Sequence, residues 1–249
     1  DLWQRQGGDA FDALSQCQGL FFHRPYAHMP VQGLAVIYLA ALAQSGRLHE
    51  LRDLAQQAAV DLAQVTAEID AGADLFSAIL QDRQANPYPA TSQLAASLRR
   101  TPQFKAFQRD KLALGADLTM ELGNLYTAAL PAWIAAGLED AAQRAANDPS
   151  LDFTRGEFWA VGYGSGDAAE AIPLQLSPQW RQAAEKIAFR AALSQGGNLS
   201  QGEYEALHDR GIEPTICRNQ TGFRIAHWGD TYADEFQDLA VPYYHFTPA

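Results

Sequence analysis

The chain reads as a mainly α-helical protein, a helical bundle or layered helices with a small β element in its C-terminal third. Three observations predict this. From residue 8 to 147, apolar residues recur at spacings of three and four on an alanine- and glutamine-rich background. The run Glu157-Phe-Trp-Ala-Val-Gly-Tyr-Gly-Ser-Gly-Asp167 then breaks that text with an aromatic, strand-like segment ending in three alternating glycines. Beyond Ile212 the chain is rich in aromatics, glycine and proline, and Phe223-Arg-Ile-Ala-His-Trp228 alternates as a short strand does.

The clearest helix is predicted over Leu48–Ile69, where Leu51, Ala55, Ala58, Leu62, Val65 and Ile69 share a face. Gly46 and Gly72 punctuate its ends, making 31–44 and 73–83 its antiparallel neighbours. Asn86-Pro-Tyr-Pro-Ala-Thr-Ser92 reads as a loop, because each proline disfavours the α conformation of the residue before it. Helices are expected again over 92–100, 102–114 and 117–136. Thr101-Pro102 forms an N-cap and first-turn pair, and Pro131 is placed to kink or divide the last of these helices. Ser177-Pro178 opens a helix whose Trp180, Ala184, Ile187 and Ala191 share a face. Ser200-Gln-Gly-Glu203 is a capping box, and Gly211 is placed to end that helix in the left-handed conformation. Pairing 157–163 with 222–228 would close a small sheet and bring Cys217 back toward the N-terminal helix. We read residues 1–249 as one domain, with a subdivision allowed into a helical layer, 1–147, and a helix-plus-β part, 148–249.

At 249 residues, 47% apolar and 19% charged, the chain is long enough to bury roughly 70–75% of its unfolded surface without a metal or disulfide. A formal charge of −11 repels phosphate backbones and argues against nucleic-acid partners. The longest uncharged apolar run, Val31–Ala43, is too short to span a bilayer. Only three lysines, Lys105, Lys111 and Lys186, stand among the basic residues, which with the alanine load points to a GC-rich bacterial genome. The first residue, Asp1, fits a mature exported protein and a shortened chain equally well. Cys17 and Cys217, with no CxxC spacing, read as one disulfide in an oxidising compartment, stabilising by about 4–5 kcal/mol in the chain-entropy model. A periplasmic or secreted location in a Gram-negative bacterium follows from that bridge. The alternative is two buried free thiols in a cytosolic protein.

Candidate chemistry is sparse. His23 and His28 with Met29 could offer imidazole and thioether ligands, but no third ligand stands at a telling spacing, and no metal or cofactor is assigned. Glu205-Ala-Leu-His208 has the Glu-x-x-His spacing of carboxylate-bridged bundles but occurs once only. Tyr163 and Asp167 occupy the outer positions where a nucleophile elbow around Ser165 needs glycines. Glu139, Asp152, Trp159-Ala-Val-Gly-Tyr-Gly164 and Leu199-Ser-Gln-Gly-Glu-Tyr-Glu-Ala-Leu207 together distantly resemble phage-type lysozymes. That resemblance implies a cell-wall hydrolase with Glu139 and Asp152 as its two carboxylates.

The ligand-binding surface is expected at Tyr163, Ser165, Asp167, His227, Trp228 and Asp230, the polar and aromatic groups clustered where the helical pattern gives way. The leading functional expectation is an exported, non-catalytic binding protein for a protein or small-molecule partner. The alternative is a hydrolase using carboxylates near the glycine-rich loop 162–167.

Overall fold

The computed structural model describes residues 8–71, 77, 80–82, 86–164, 169–212, 214 and 222–247. The chain divides into two compact units, Asp1–Ser194 and Gln195–Ala249.

The first unit sets helices around a three-stranded sheet. Helix α1 (Ala10–Gln16) leads into β1 (Gly19–Phe22), followed by α2 (Met29–Gln44), α3 (Leu48–Ala58), α4 (Leu62–Ala71), α5 (Pro89–Leu98), α6 (Pro102–Leu112) and α7 (Ala116–Met120). A 3₁₀ turn, Tyr126–Ala128, enters α8 (Ala129–Asn147). Strands β2 (Glu157–Tyr163) and β3 (Ala169–Gln175) and the short helices α9 (Trp180–Ala184) and α10 (Phe189–Ser194) complete the unit. The strand order is β1-β2-β3, with β1 parallel to β2 and β3 antiparallel to β2.

Every residue of β1 is buried, as a strand covered on both faces requires. Phe21 meets the edge of Trp133 at 6.2 Å and stacks on Phe158 at 5.9 Å. Full burial of such side chains contributes about 1.5–3 kcal/mol each. Helix α8 reaches the strand because Gly137 leaves room for the Phe21 ring, and the left-handed Gly115 (φ 67°) packs its backbone onto Gly137. Trp133 Nε1 donates to the Leu114 carbonyl at 2.8 Å. Helix α2, apolar nearly all round, buries Leu34, Ala35, Leu39, Ala41 and Leu42, as a helix enclosed by other helices does. Lys111 on α6 is buried and donates to the carbonyls of Ser15 and Cys17 at 2.7 and 2.8 Å, capping the exit of α1.

The second unit holds α11 (Gln201–Arg210) and a two-stranded antiparallel ribbon, β4 (Gly222–Trp228) with β5 (Pro242–Thr247). The capping box of α11 forms as the sequence predicts, with Ser200 and Glu203 exchanging hydrogen bonds and Gly211 ending the helix at φ 64°.

The mainly helical class holds, with two small sheets. Three expectations are corrected. The β structure is not confined to the C-terminal third, since β1 lies at 19–22. Residues 157–163 do not pair with 222–228; the former joins β1 and β3, the latter β5. Finally, 48–69 is two helices, because Ala59 turns left-handed (φ 52°) and Asp61 accepts the Ala63 N–H to start α4.

Candidate active site

Parallel pairing brings the C-terminal ends of β1 and β2 to one place, where open α/β sheets gather their ligands. The ladder runs one residue past β1, with the His23 N–H donating to the Val161 carbonyl at 2.8 Å. His23 thereby stands beside Tyr163, the last residue of β2, ring centroids 5.3 Å apart and planes at 85°. Burial, with the nearby Tyr26 second, raises the Tyr163 phenol above its ordinary range, keeping it a neutral donor.

Pro25 ends the strand, and the neighbouring side chains fix the turn. Arg24 Nη1 donates to the Ala116 carbonyl at 3.0 Å and to Thr119 Oγ1 at 2.5 Å, while its guanidinium lies 4.9 Å from the Trp133 ring centroid. Through Nη1 this arginine ties α7 to the strand end. Tyr26 donates weakly to Gln32 Oε1 at 3.4 Å. On the other side, Leu130 in the first turn of α8 stands over Gly162. Just before it, Tyr126 is exposed and left-handed (φ 52°), its N–H held by Asn124 Oδ1 at 2.8 Å, a strained geometry of the kind found at functional loops.

An imidazole and a neutral phenol at the mouth of two parallel strands can move a proton to or from a bound carbonyl or hydroxyl oxygen. The described residues offer no activated thiol there. Cys17 lies near the start of β1, away from His23, where its thiol donates to the Leu14 carbonyl at 3.1 Å. Burial pushes that thiol up to about 11, and it lines a separate cavity of about 260 Å³ with Glu157 and Trp159.

Of the residues expected from the sequence, Tyr163 is at this site. Ser165 and Asp167 lie outside the described residues. His227, Trp228 and Asp230 belong to the second unit, where His227 stacks on Tyr243 at 4.6 Å and Tyr243 in turn donates to Asp238 at 2.8 Å. Glu139 accepts from the Phe189 and Arg190 N–H groups at 2.6 and 3.2 Å, capping α10. Asp152 closes a turn by accepting from Thr154 and Arg155. Both carboxylates thus have structural partners. Cys17 is a free, buried thiol and Cys217 lies outside the described residues, so the expected bridge is corrected and the case for export built on it falls. Among the described residues no group of three metal-ligating side chains converges, and no helix is long and apolar enough to cross a membrane.

From sequence, His23 reads only as a metal ligand. Its pairing with Tyr163 depends on a parallel contact between segments 140 residues apart, for which local pattern gives no signal. The clue that was present is Gly-Leu-Phe-Phe-His-Arg-Pro, a short apolar run closed by proline.

No family model and no curated protein matches the chain. Solved structures do. MvaS in complex with 3-hydroxy-3-methylglutaryl coenzyme A aligns with 98% of this chain and 45% of its own at 17% identity, TM-score 0.54. The HMG synthase of the curacin biosynthetic pathway, in complex with holo donor-ACP, aligns with 98% of this chain and 46% of its own at 15% identity, TM-score 0.52. PksG, a HMG-CoA synthase from Bacillus subtilis, covers 83% of this chain and 34% of its own at 14% identity and TM-score 0.44, too low to argue from. The likeness is one of fold. The chain spans less than half the length of these proteins. Because the fold neighbours include an HMG synthase and a protein that holds 3-hydroxy-3-methylglutaryl coenzyme A, the fold is one that enzymes use, and the expectation of a non-catalytic binding scaffold, with its cell-wall hydrolase alternative, is overturned.

Proposed function

We propose that this chain forms the proton-transfer part of an enzyme acting on acyl thioesters, with His23 as its acid–base group and Tyr163 as a neutral hydrogen-bond donor beside it. The observation that carries the reading is the His23–Tyr163 contact at the C-terminal ends of two parallel strands. The substrate class is supported by the fold neighbours, one in complex with 3-hydroxy-3-methylglutaryl coenzyme A and another with holo donor-ACP. A 3-hydroxy-3-methylglutaryl group carries a hydroxyl whose proton must be given or taken whenever the carbon bearing it gains or loses a bond. An imidazole within hydrogen-bond reach of that oxygen does this. Arg24, whose Nη1 bonds to Ala116 and Thr119 of α7, positions the loop.

The test is titration with 3-hydroxy-3-methylglutaryl-CoA followed by imidazole NMR, together with carbon–carbon cleavage of the acyl group at its hydroxyl-bearing carbon, read as loss of the substrate. Expected is a shift of the His23 resonances that leaves His208 unmoved. In the His23→Gln variant that cleavage should fall by about 10²–10⁴-fold, the usual contribution of a general acid–base group. An unmoved His23 resonance at saturating acyl-CoA refutes the assignment.

A further inference from the structure

The second unit carries an exposed apolar face. Residues directly opposite in an antiparallel ladder share a face, as do residues two apart along a strand. Phe223 pairs with Phe246 and Ile225 with Tyr244; after the register shift between Ile225 and His227, Trp228 pairs with Pro242. These six side chains therefore lie on one side of the β4–β5 ribbon, with the Phe223 and Phe246 rings 5.3 Å apart. Phe223 is 76% exposed, Tyr244 60%, Trp228 58%, Phe246 55% and Ile225 43%. The His227–Tyr243 stack occupies the opposite side.

We propose that this face is where a second copy of the chain docks, ribbon upon ribbon. A two-stranded ribbon is marginal alone and is stabilised by covering an apolar face. Large aromatic side chains contribute on the order of 150–250 Å² each, so at these exposures the face offers roughly 600 Å². That is the upper end of the largest patch on a typical monomer. Two copies covering each other bury about 1,200 Å², where specific interfaces begin. The face is uncharged, so stacking it on itself opposes no like charges there. The acidic groups Asp230, Asp234, Glu235 and Asp238 sit in the connection beyond one end of the ribbon. In a two-fold arrangement with the ribbons antiparallel, each such connection lies past the open end of the other copy and away from its counterpart.

Sedimentation velocity across micromolar concentrations tests this. The expected result is a dimer that tightens as salt is raised, because the contact is apolar and the −11 charge of each copy opposes it. The Phe223→Ser/Tyr244→Ser double variant should weaken the dimer by about thirtyfold or more, as loss of an interface hot spot does. Leu80→Ser, at another exposed apolar position, should leave it unchanged. Hydrogen exchange of the unaltered chain gives an independent readout, with residues 222–247 more protected at dimer-forming concentration. A chain monomeric at every concentration, a dimer indifferent to the double variant, or one that dissociates as salt rises overturns the proposal.

Discussion

Cys17 shows how far environment moves a side chain from its nominal chemistry. Burial raises its thiol from 9.0 to about 11, so the folded state holds the proton that the unfolded chain releases near pH 9. The contribution to stability is full below pH 9 and is lost as pH climbs from 9 toward 11, by at most about 2–3 kcal/mol. Denaturation of the native chain at pH 8 and pH 10.5 should show this loss. Cys17→Ala should remove that component, separating it from the tyrosines that titrate in the same range. At neutral pH the folded thiol should resist alkylation until the chain is unfolded. An inert thiol at the start of β1 and an imidazole at its end are thus separated by one short buried strand.

Between elements, the connections that matter are polar groups answering the unsatisfied ends of helices. Glu68 on α4 accepts the Ala90 and Thr91 N–H groups at 3.0 and 2.7 Å, capping α5 from outside its own helix. Burial works against its charge, but these bonds outweigh it and the carboxyl lies below its ordinary range. Its contribution is present above the unfolded carboxyl value and disappears as pH falls through the lower folded one. Glu68→Ala should cost about 1–3 kcal/mol at pH 7 by chemical denaturation, and the gap to the native chain should narrow in acid. Such cross-element caps are illegible in sequence, whereas local ones are not. The Ser200–Glu203 box and the Thr101 cap, which accepts the Phe104 N–H at 3.2 Å, were readable because donor and acceptor lie three residues apart. Pro131 misled in a different way. It sits in the first turn of α8, where its missing N–H costs nothing, and the break it was expected to make occurs earlier, after Met120. The strand β1 escaped because Gly-Leu-Phe-Phe, buried on both faces, has no alternation to reveal it.

For the whole molecule, the helical class was legible from composition and period, and the His23–Tyr163 contact was not. Tyr163 was singled out, but its true neighbour lies 140 residues earlier, and the residues grouped with it from 227 onward belong to another unit. Charge, by contrast, is a global property that sequence states directly. With −11 on the chain, self-repulsion is relieved as the Debye length falls from about 30 Å at 0.01 M to about 8 Å at 0.15 M salt. The melting temperature by calorimetry should therefore rise over that range; a fall would mean that attractive surface pairs outweigh the net charge.

The hydrogen bond from His23 to Val161 has a geometric corollary. It makes the imidazole the final rung of a ladder whose side chains alternate in direction with every step. One residue inserted or deleted between Gly19 and Phe22 would leave composition, charge and helix content almost untouched, yet it would turn the ring to the opposite side of the sheet and shift it by about 3.3 Å. The length of this strand, rather than the identity of its apolar residues, therefore aims the chemistry.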